Sequence, residues 1–156
     1  MQIRRAEQKD IPALDHLLFQ VNNVHADGRP DIFIHDRKKY TDEELSLLLQ
    51  DEDRPVFVYE DADGSIPGYC FCIVEVTEGG GNLQPMKTLY IDDLCVDEAC
   101  RGKHIGTKLY EFVKAWAMEQ GFYRITLNVW ELNGPAAAFY RHLGFRPLKT
   151  TLEEIL

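Results

Sequence analysis

Residues 94–107 read Leu94-Cys95-Val96-Asp97-Glu98-Ala99-Cys100-Arg101-Gly102-Lys103-His104-Ile105-Gly106-Thr107. An apolar strand ends, a short polar turn follows, and an amphipathic helix begins. The first N–H groups of a helix have no acceptor within it. With the positive end of the helix dipole they make an anion site. Gly102 and Gly106 let a ligand come close to the backbone. Arg101, Lys103, His104 and Lys108 form a basic island in a chain of 17 Lys plus Arg against 26 Asp plus Glu, a formal net charge of −9. A diphosphate fits such a turn. The nucleoside-triphosphate spacing G-x-x-x-x-G-K-[ST] fails, because Arg101 stands where its first glycine belongs. A dinucleotide G-x-G-x-x-G fails too, because Gly102 and Gly106 are four apart. Glycine-bearing strand-to-helix turns also occur without a ligand, so this one needs the rest of the chain to be read.

Downstream, Ile105, Leu109, Phe112 and Trp116 recur at helical spacing and predict a helix from about Gly102 to Gln120, with Gly121 beyond its end. Ile125, Leu127 and Val129 alternate and predict a strand over Phe122–Trp130. Asn133 caps a short helix with Pro135 in its first turn, running to about Leu143, and Gly144 ends it. The segment from Phe145 reads as a last strand. Upstream, Gln2–Arg5 reads as a first strand, and Asp10 caps a helix with the stripe Leu14, Leu17, Leu18, Val21. Asn22–Phe33 reads as irregular. Thr41-Asp42-Glu43-Glu44 is a capping box opening a helix that carries Leu45, Leu48 and Leu49. Strands follow at Pro55–Glu60, Ile66–Val76 and Thr88–Val96, and Gly79-Gly80-Gly81 joins the last two. The order β-αα-βββ-α-β-α-β describes one α/β domain over residues 1–156 with a mixed sheet.

Composition narrows the function. At 45% hydrophobic and 28% charged residues, the chain has the make-up of a folded domain rather than a disordered one. No window approaches the ~18 apolar residues of a membrane span. The acidic balance repels nucleic acid and anionic membrane and attracts cations such as amines. The polar start, MQIRRAEQKD, has no secretory h-region, so a cytoplasmic setting with reduced thiols is expected. Cys70 and Cys72 share a strand face at a spacing unsuited to a disulfide, and Cys95 and Cys100 complete no metal-ligand pattern. All four read as small buried hydrophobes, and no metal is expected.

The chain resembles the GNAT superfamily of acyl-CoA-dependent N-acetyltransferases. The family's [RQ]-x-x-G-x-[GA] motif is matched by Arg101-Gly102-Lys103-His104-Ile105-Gly106, with His104 in place of the first motif glycine. Tyr90-Ile91-Asp92-Asp93-Leu94-Cys95-Val96-Asp97 is similar to its central strand. Asn133-Gly134-Pro135-Ala136-Ala137-Ala138-Phe139-Tyr140 followed by Leu143-Gly144-Phe145 is similar to its N-x-x-A-x-x-F-Y-x-x-x-G-F signature. Asp92-Asp93-Leu94-Cys95-Val96 is closest in look to diamine and polyamine acetyltransferases. The resemblance implies a mostly antiparallel sheet splayed between its fourth and fifth strands, with acetyl-CoA wedged into the splay. It implies pantetheine contacts from the backbone of Leu94, Cys95 and Val96. The diphosphate would lie on the amides of Gly102, Lys103, His104, Ile105, Gly106 and Thr107 beside Arg101. Asn133 would bond the pantetheine arm, and Tyr140 would protonate the departing thiolate. Such enzymes often dimerise, so a homodimer is expected.

An alkyl ammonium must lose a proton before it attacks, since its pKa is near ~10. Asp92 and Asp93 interrupt an apolar strand, and a buried carboxylate needs a partner. Asp92, expected on the face of Leu94 and Val96, is the first choice of base, with Glu75 and Glu131 in reserve. Asp93, Asp27 and Asn128 are further substrate contacts, and the resemblance implies that the long early loop holding His25, Asp27, Arg29 and Asp31 borders the acceptor site. His16, His35 and His142 read as surface residues. Cys95 lacks the positive surroundings a thiolate nucleophile requires, so direct transfer to a small primary amine is expected. A non-catalytic acyl-CoA sensor, or an acetyltransferase acting on protein N-termini or lysines, remains as the alternative.

Overall fold

The computed structural model describes residues 1–156. Five strands form one sheet in the order β1 (Gln2–Arg5), β2 (Val56–Glu60), β3 (Gly68–Thr77), β4 (Met86–Val96) and β5 (Arg124–Leu127). The first four pair antiparallel. β5 runs parallel to β4 over four pairs, Thr88↔Arg124 to Ile91↔Leu127. Beyond Ile91, β4 continues to Val96 while β5 has ended, so the expected splay between the fourth and fifth strands is present. No helix is long and apolar enough to cross a membrane.

Helices cover both faces, and strand alternation says why. Val56, Val58, Tyr69 and Phe71 point one way, into a core with Leu14, Leu17 and Leu18 of α1 (Ile11–Gly28) and Leu45 and Leu48 of α2 (Asp42–Leu48). Phe57, Cys70 and Cys72 point the other way, onto Tyr110, Val113 and Ala117 of α3 (Ile105–Glu119). Cys70 and Cys72 share that face with their sulfurs 3.7 Å apart, and all four cysteines are free thiols. The short α4 (Gly134–His142) meets the start of α3 through Phe139.

Several boundaries differ from the sequence expectation. α1 runs on to Gly28, so His25 and Asp27 stand on a helix rather than in a loop. Asp10 precedes α1 but does not cap it with its side chain. Its carboxylate accepts from the Glu7 amide at 2.8 Å and from Arg4 at 2.8 and 3.0 Å, which ties β1 to α1. α3 begins at Ile105, after the turn. β5 stops at Leu127, leaving Val129 and Trp130 partly exposed. The last strand expected from Phe145 does not form, and the sheet ends at β5. Pro147 lacks a ladder N–H, and the segment has no alternating apolar face. Its Leu148, Leu152 and Ile155 are 66%, 88% and 78% exposed.

Candidate active site

The turn before α3 is shaped by two residues in left-handed backbone, Gly102 (φ 83°) and His104 (φ 59°). Together they aim a run of amides outward. None of the N–H groups from Arg101 to Thr107 donates to a protein acceptor, and the α3 ladder starts only with Lys108 to the His104 carbonyl, 3.0 Å. Left-handed backbone costs a non-glycine residue roughly 1–2 kcal/mol. That explains the family's glycine at this place, and His104 bears the strain. Arg101, Lys103, His104 and Lys108 are exposed around these amides. This donor set suits a diphosphate, which needs several N–H donors and positive charge at once.

Gly106 sets the neighbouring contact. A Cβ there would come within 3.2 Å of the Phe139 ring, so α4 packs directly on the start of α3. Asn133 caps α4 by accepting from the Ala136 amide at 3.2 Å, as its position predicts. Tyr140 follows Phe139, its ring against Phe139 at 5.1 Å and Phe145 at 5.6 Å. Burial holds its phenol protonated, reinforced by the neighbouring Cys70, Asp93 and Cys95. A phenol kept in its acid form can supply a proton.

β4 carries the central correction. Phe71 pairs with Asp93, yet Cys72 pairs with Ile91, so Asp92 is one extra residue, a β-bulge. Strict alternation places neighbouring carboxylates on opposite faces. The bulge cancels that, and both point to the α1–α2 side. Asp92 therefore does not share a face with Leu94 and Val96, which pack toward α3. The Tyr69 hydroxyl donates to Asp93 at 2.5 Å. The Tyr40 hydroxyl donates to Asp92 at 2.7 Å, and the Lys39 ammonium donates to its other oxygen at 2.7 Å. Arg54 donates to the Tyr40 oxygen at 3.0 Å, and Tyr40 stacks on Phe71 with centroids 5.8 Å apart. Burial pushes Asp93 up to about 6, against the pull of Tyr69 and Lys39 and with added repulsion from Asp92.

From Asp92 to Val96 the edge of β4 on the β5 side has no strand partner. Leu94, Cys95 and Val96 thus offer backbone to an extended ligand, as the resemblance implies. Cys95 is buried, its thiol directed to the Leu17 carbonyl at 3.7 Å. Burial, followed by the Asp93 charge, pushes it up to about 12, which disfavours a thiolate.

Other predicted residues sit around this centre unequally. Asn128 donates to the Tyr90 hydroxyl at 3.2 Å, just past the end of β5. Asp27 is exposed and pairs with His35 at 2.7 Å. Glu75 and Glu131 join no part of the acidic pair. His16 binds Asp97 at 3.2 Å on the surface, and His35 and His142 are exposed as expected. An aromatic wall was not foreseen: Phe33 lies 5.0 Å from His25 and 5.1 Å from Trp130. Lys39, Tyr40, Arg54 and Tyr69 were not foreseen either. Lys39, Tyr40 and Tyr69 meet the acidic pair, and Arg54 meets Tyr40, across separations that no local spacing reveals. A surface concavity of about 360 Å³ between β1 and α3, lined by Met1, Ile3, Tyr59 and Phe112, lies at the opposite edge of the sheet and holds no such cluster. No group of His, Cys, Asp and Glu side chains is arranged to hold a metal.

The model of the acetyltransferase (GNAT) family matches residues 18–145, most of the chain. The chain belongs to the GNAT family of acetyltransferases. A streptothricin acetyltransferase from Streptomyces lavendulae is 33% identical over 96 residues, 62% of this chain and 47% of that protein. The chain therefore spans about half the length of that relative. The crystal structure of a tetramutant of the BH1408 protein from Bacillus halodurans superposes over 100% of both chains at 33% identity, TM-score 0.96. An aminoglycoside N-acetyltransferase in complex with CoA shares the fold at 16% identity, TM-score 0.71, over 99% of this chain and 98% of that one. The GNAT motif residues Arg101–Gly106, the β4 strand and the Asn133–Phe145 signature thus lie within, or end with, the matched family region.

Proposed function

We propose that this GNAT protein moves an acetyl group from acetyl-CoA to a primary amine, by direct transfer with both substrates bound. The observation that carries the reading is the run of unpaired amides at Arg101–Thr107 beside an open β4 edge, with the buried Tyr140 phenol within reach of the Asp93 and Cys95 charges on that strand. Acetyl-CoA supplies an activated acyl thioester. The chain's own residues do the rest. The amides of Gly102 to Thr107 and Arg101 hold the diphosphate, and the backbone of Leu94, Cys95 and Val96 aligns the pantetheine arm. A β4 amide near Leu94 stabilises negative charge on the thioester oxygen. Tyr140 protonates the leaving sulfur. The acidic pair takes the proton that the amine must lose, Asp93 being the better suited of the two because its affinity for a proton is raised.

The acidic pair on one side of β4 supports a small cationic amine, since two neighbouring carboxylates attract an ammonium. The similarity to a streptothricin acetyltransferase supports the same class. Four free cysteines suit a reducing compartment, and we place the protein in the cytoplasm. Calorimetry with CoA and acetyl-CoA tests the binding half. An amine panel with acetyl-CoA, followed by thiol release, tests the transfer half. Binding heat together with turnover of a cationic amine is expected. Binding without turnover of any amine would favour the sensor reading, and absence of heat would overturn both.

A further inference from the structure

The acidic pair already holds an amine. Lys39, in the segment between α1 and α2, places its ammonium 2.7 Å from Asp92, whose carboxylate is nearly buried while the lysine stem is about half exposed. The Tyr40 hydroxyl fixes the second Asp92 oxygen, so the carboxylate is aimed. The Lys39 charge also lowers the proton affinity of Asp93, next on the strand, and the Asp93 charge in turn reaches Tyr140. This is the seat that the proposed function gives to the acceptor.

Other lysines lack such surroundings. Lys38 is held by Asp15 and Asp42. Lys87 donates to the Gln120 carbonyl at 2.9 Å. Lys103 and Lys108 flank the anion-binding turn. A tethered amine also meets its reaction partner at high effective concentration.

We propose that Lys39 is itself an acetyl acceptor, modified by its own chain. The inference rests on the N-acetyltransferase reading and adds an internal substrate. In the step, Asp92 or Asp93 takes a proton from the ammonium. The freed nitrogen forms a bond to the acetyl carbon and then loses its second proton, the carbon–sulfur bond breaks, and the sulfur leaves with its electron pair and receives the Tyr140 proton, which the nitrogen's second proton replaces through solvent. The products are N-acetyl-Lys39 and CoA. Acetylation abolishes the charge and the ion pair, leaving Asp92 to a diffusing cation. The first turnover thus opens the acceptor seat for later ones.

The full chain is incubated with labelled acetyl-CoA and no added amine, and the modified residue is mapped by mass spectrometry. One acetyl group on Lys39 is expected, at a rate constant independent of protein concentration. Heat-unfolded protein and the Lys39→Arg variant should lack it, and Tyr140→Phe should slow it about a hundredfold. A second readout needs no acetyl-CoA: calorimetry with 1,4-diaminobutane should show Lys39→Met binding at least about fivefold tighter than wild type, because Asp92 is freed. Turnover of external amines without label on Lys39 would overturn the inference and leave the function standing. Label spread evenly over surface lysines, or equal diamine binding by the two proteins, would overturn it as well. Absence of both label and amine turnover would overturn both readings.

Discussion

The start of α3 and the acidic pair on β4 are built in opposite ways. The first is local: six successive residues, Arg101 to Gly106, set its backbone, its charge and its unpaired amides. The second is assembled from afar. Lys39 and Tyr40 reach Asp92 across 53 and 52 positions, and Tyr69 reaches Asp93 across 24. The local half would recognise a diphosphate and its arm, which stay the same whatever the acceptor. The assembled half can be rebuilt residue by residue without touching the other. A constant handle and a variable grip are what an acyltransferase fold needs to serve many amines.

The contrast can be broken at four points. The largest effect is expected at the junction. Tyr140→Phe should lower kcat by about 10² or more while CoA binding, measured by calorimetry, stays within about twofold. A loss of CoA binding would mean that Tyr140 belongs to the local half.

Asp93 comes next. Its folded pKa of about 6 lies above the ordinary carboxylate value. The folded state therefore holds its proton more tightly than the unfolded state does. Stability from this group is full below about pH 4 and is lost as pH rises through about 6. Asp93→Asn should remove that loss, raising stability near pH 7 by about 3 kcal/mol relative to wild type, less about 1 kcal/mol for the lost Tyr69 bond. Urea titrations at about pH 4.5 and 7 measure the difference. The same variant should flatten the rise in kcat/KM that wild type is expected to show between about pH 5 and 7.

His104→Gly relieves a left-handed residue and should stabilise the fold by about 1 kcal/mol, read as a higher Tm. CoA affinity should hold, because the amides remain. Thr41→Ala is the mildest. Thr41 accepts from the Glu44 amide at 3.1 Å and its own amide donates to Glu44 at 3.2 Å. Losing that cap costs about 0.5–1 kcal/mol. Because Lys39 and Tyr40 lead directly into it, KM for the amine should change more than KM for acetyl-CoA.

The same division governed what could be read from the sequence. Gly102, Gly106 and the Asn133 cap answer to local backbone rules, and they stand where the spacing put them. The stripe on α3 was legible in Ile105 and Leu109, although the deepest side chains include Val113 and Ala117, and Phe112 is partly exposed. Alternation failed at Asp92, since a bulge shows only in the register of two strands. The capping box of α2 was legible, but not that it delivers Tyr40 to β4. The absent last strand is a subtler case. Phe145 is apolar and packs against Tyr110, yet Arg146-Pro147-Leu148-Lys149 has neither alternation nor a full set of donors.

The bulge also acts as a phase change within one strand. N-terminal to it, Leu89 and Ile91 belong to the α3 core; C-terminal to it, Leu94 keeps the same allegiance although the count from Ile91 is odd. Removing Asp92 would restore plain alternation and leave every pairing on both sides in place, with Asp93 still opposite Phe71 and Leu94 still opposite Cys70. A descendant that lost this one residue would keep the sheet and forfeit only the carboxylate that Lys39 and Tyr40 hold. The extra residue is therefore a detachable part, added to a strand that is complete without it.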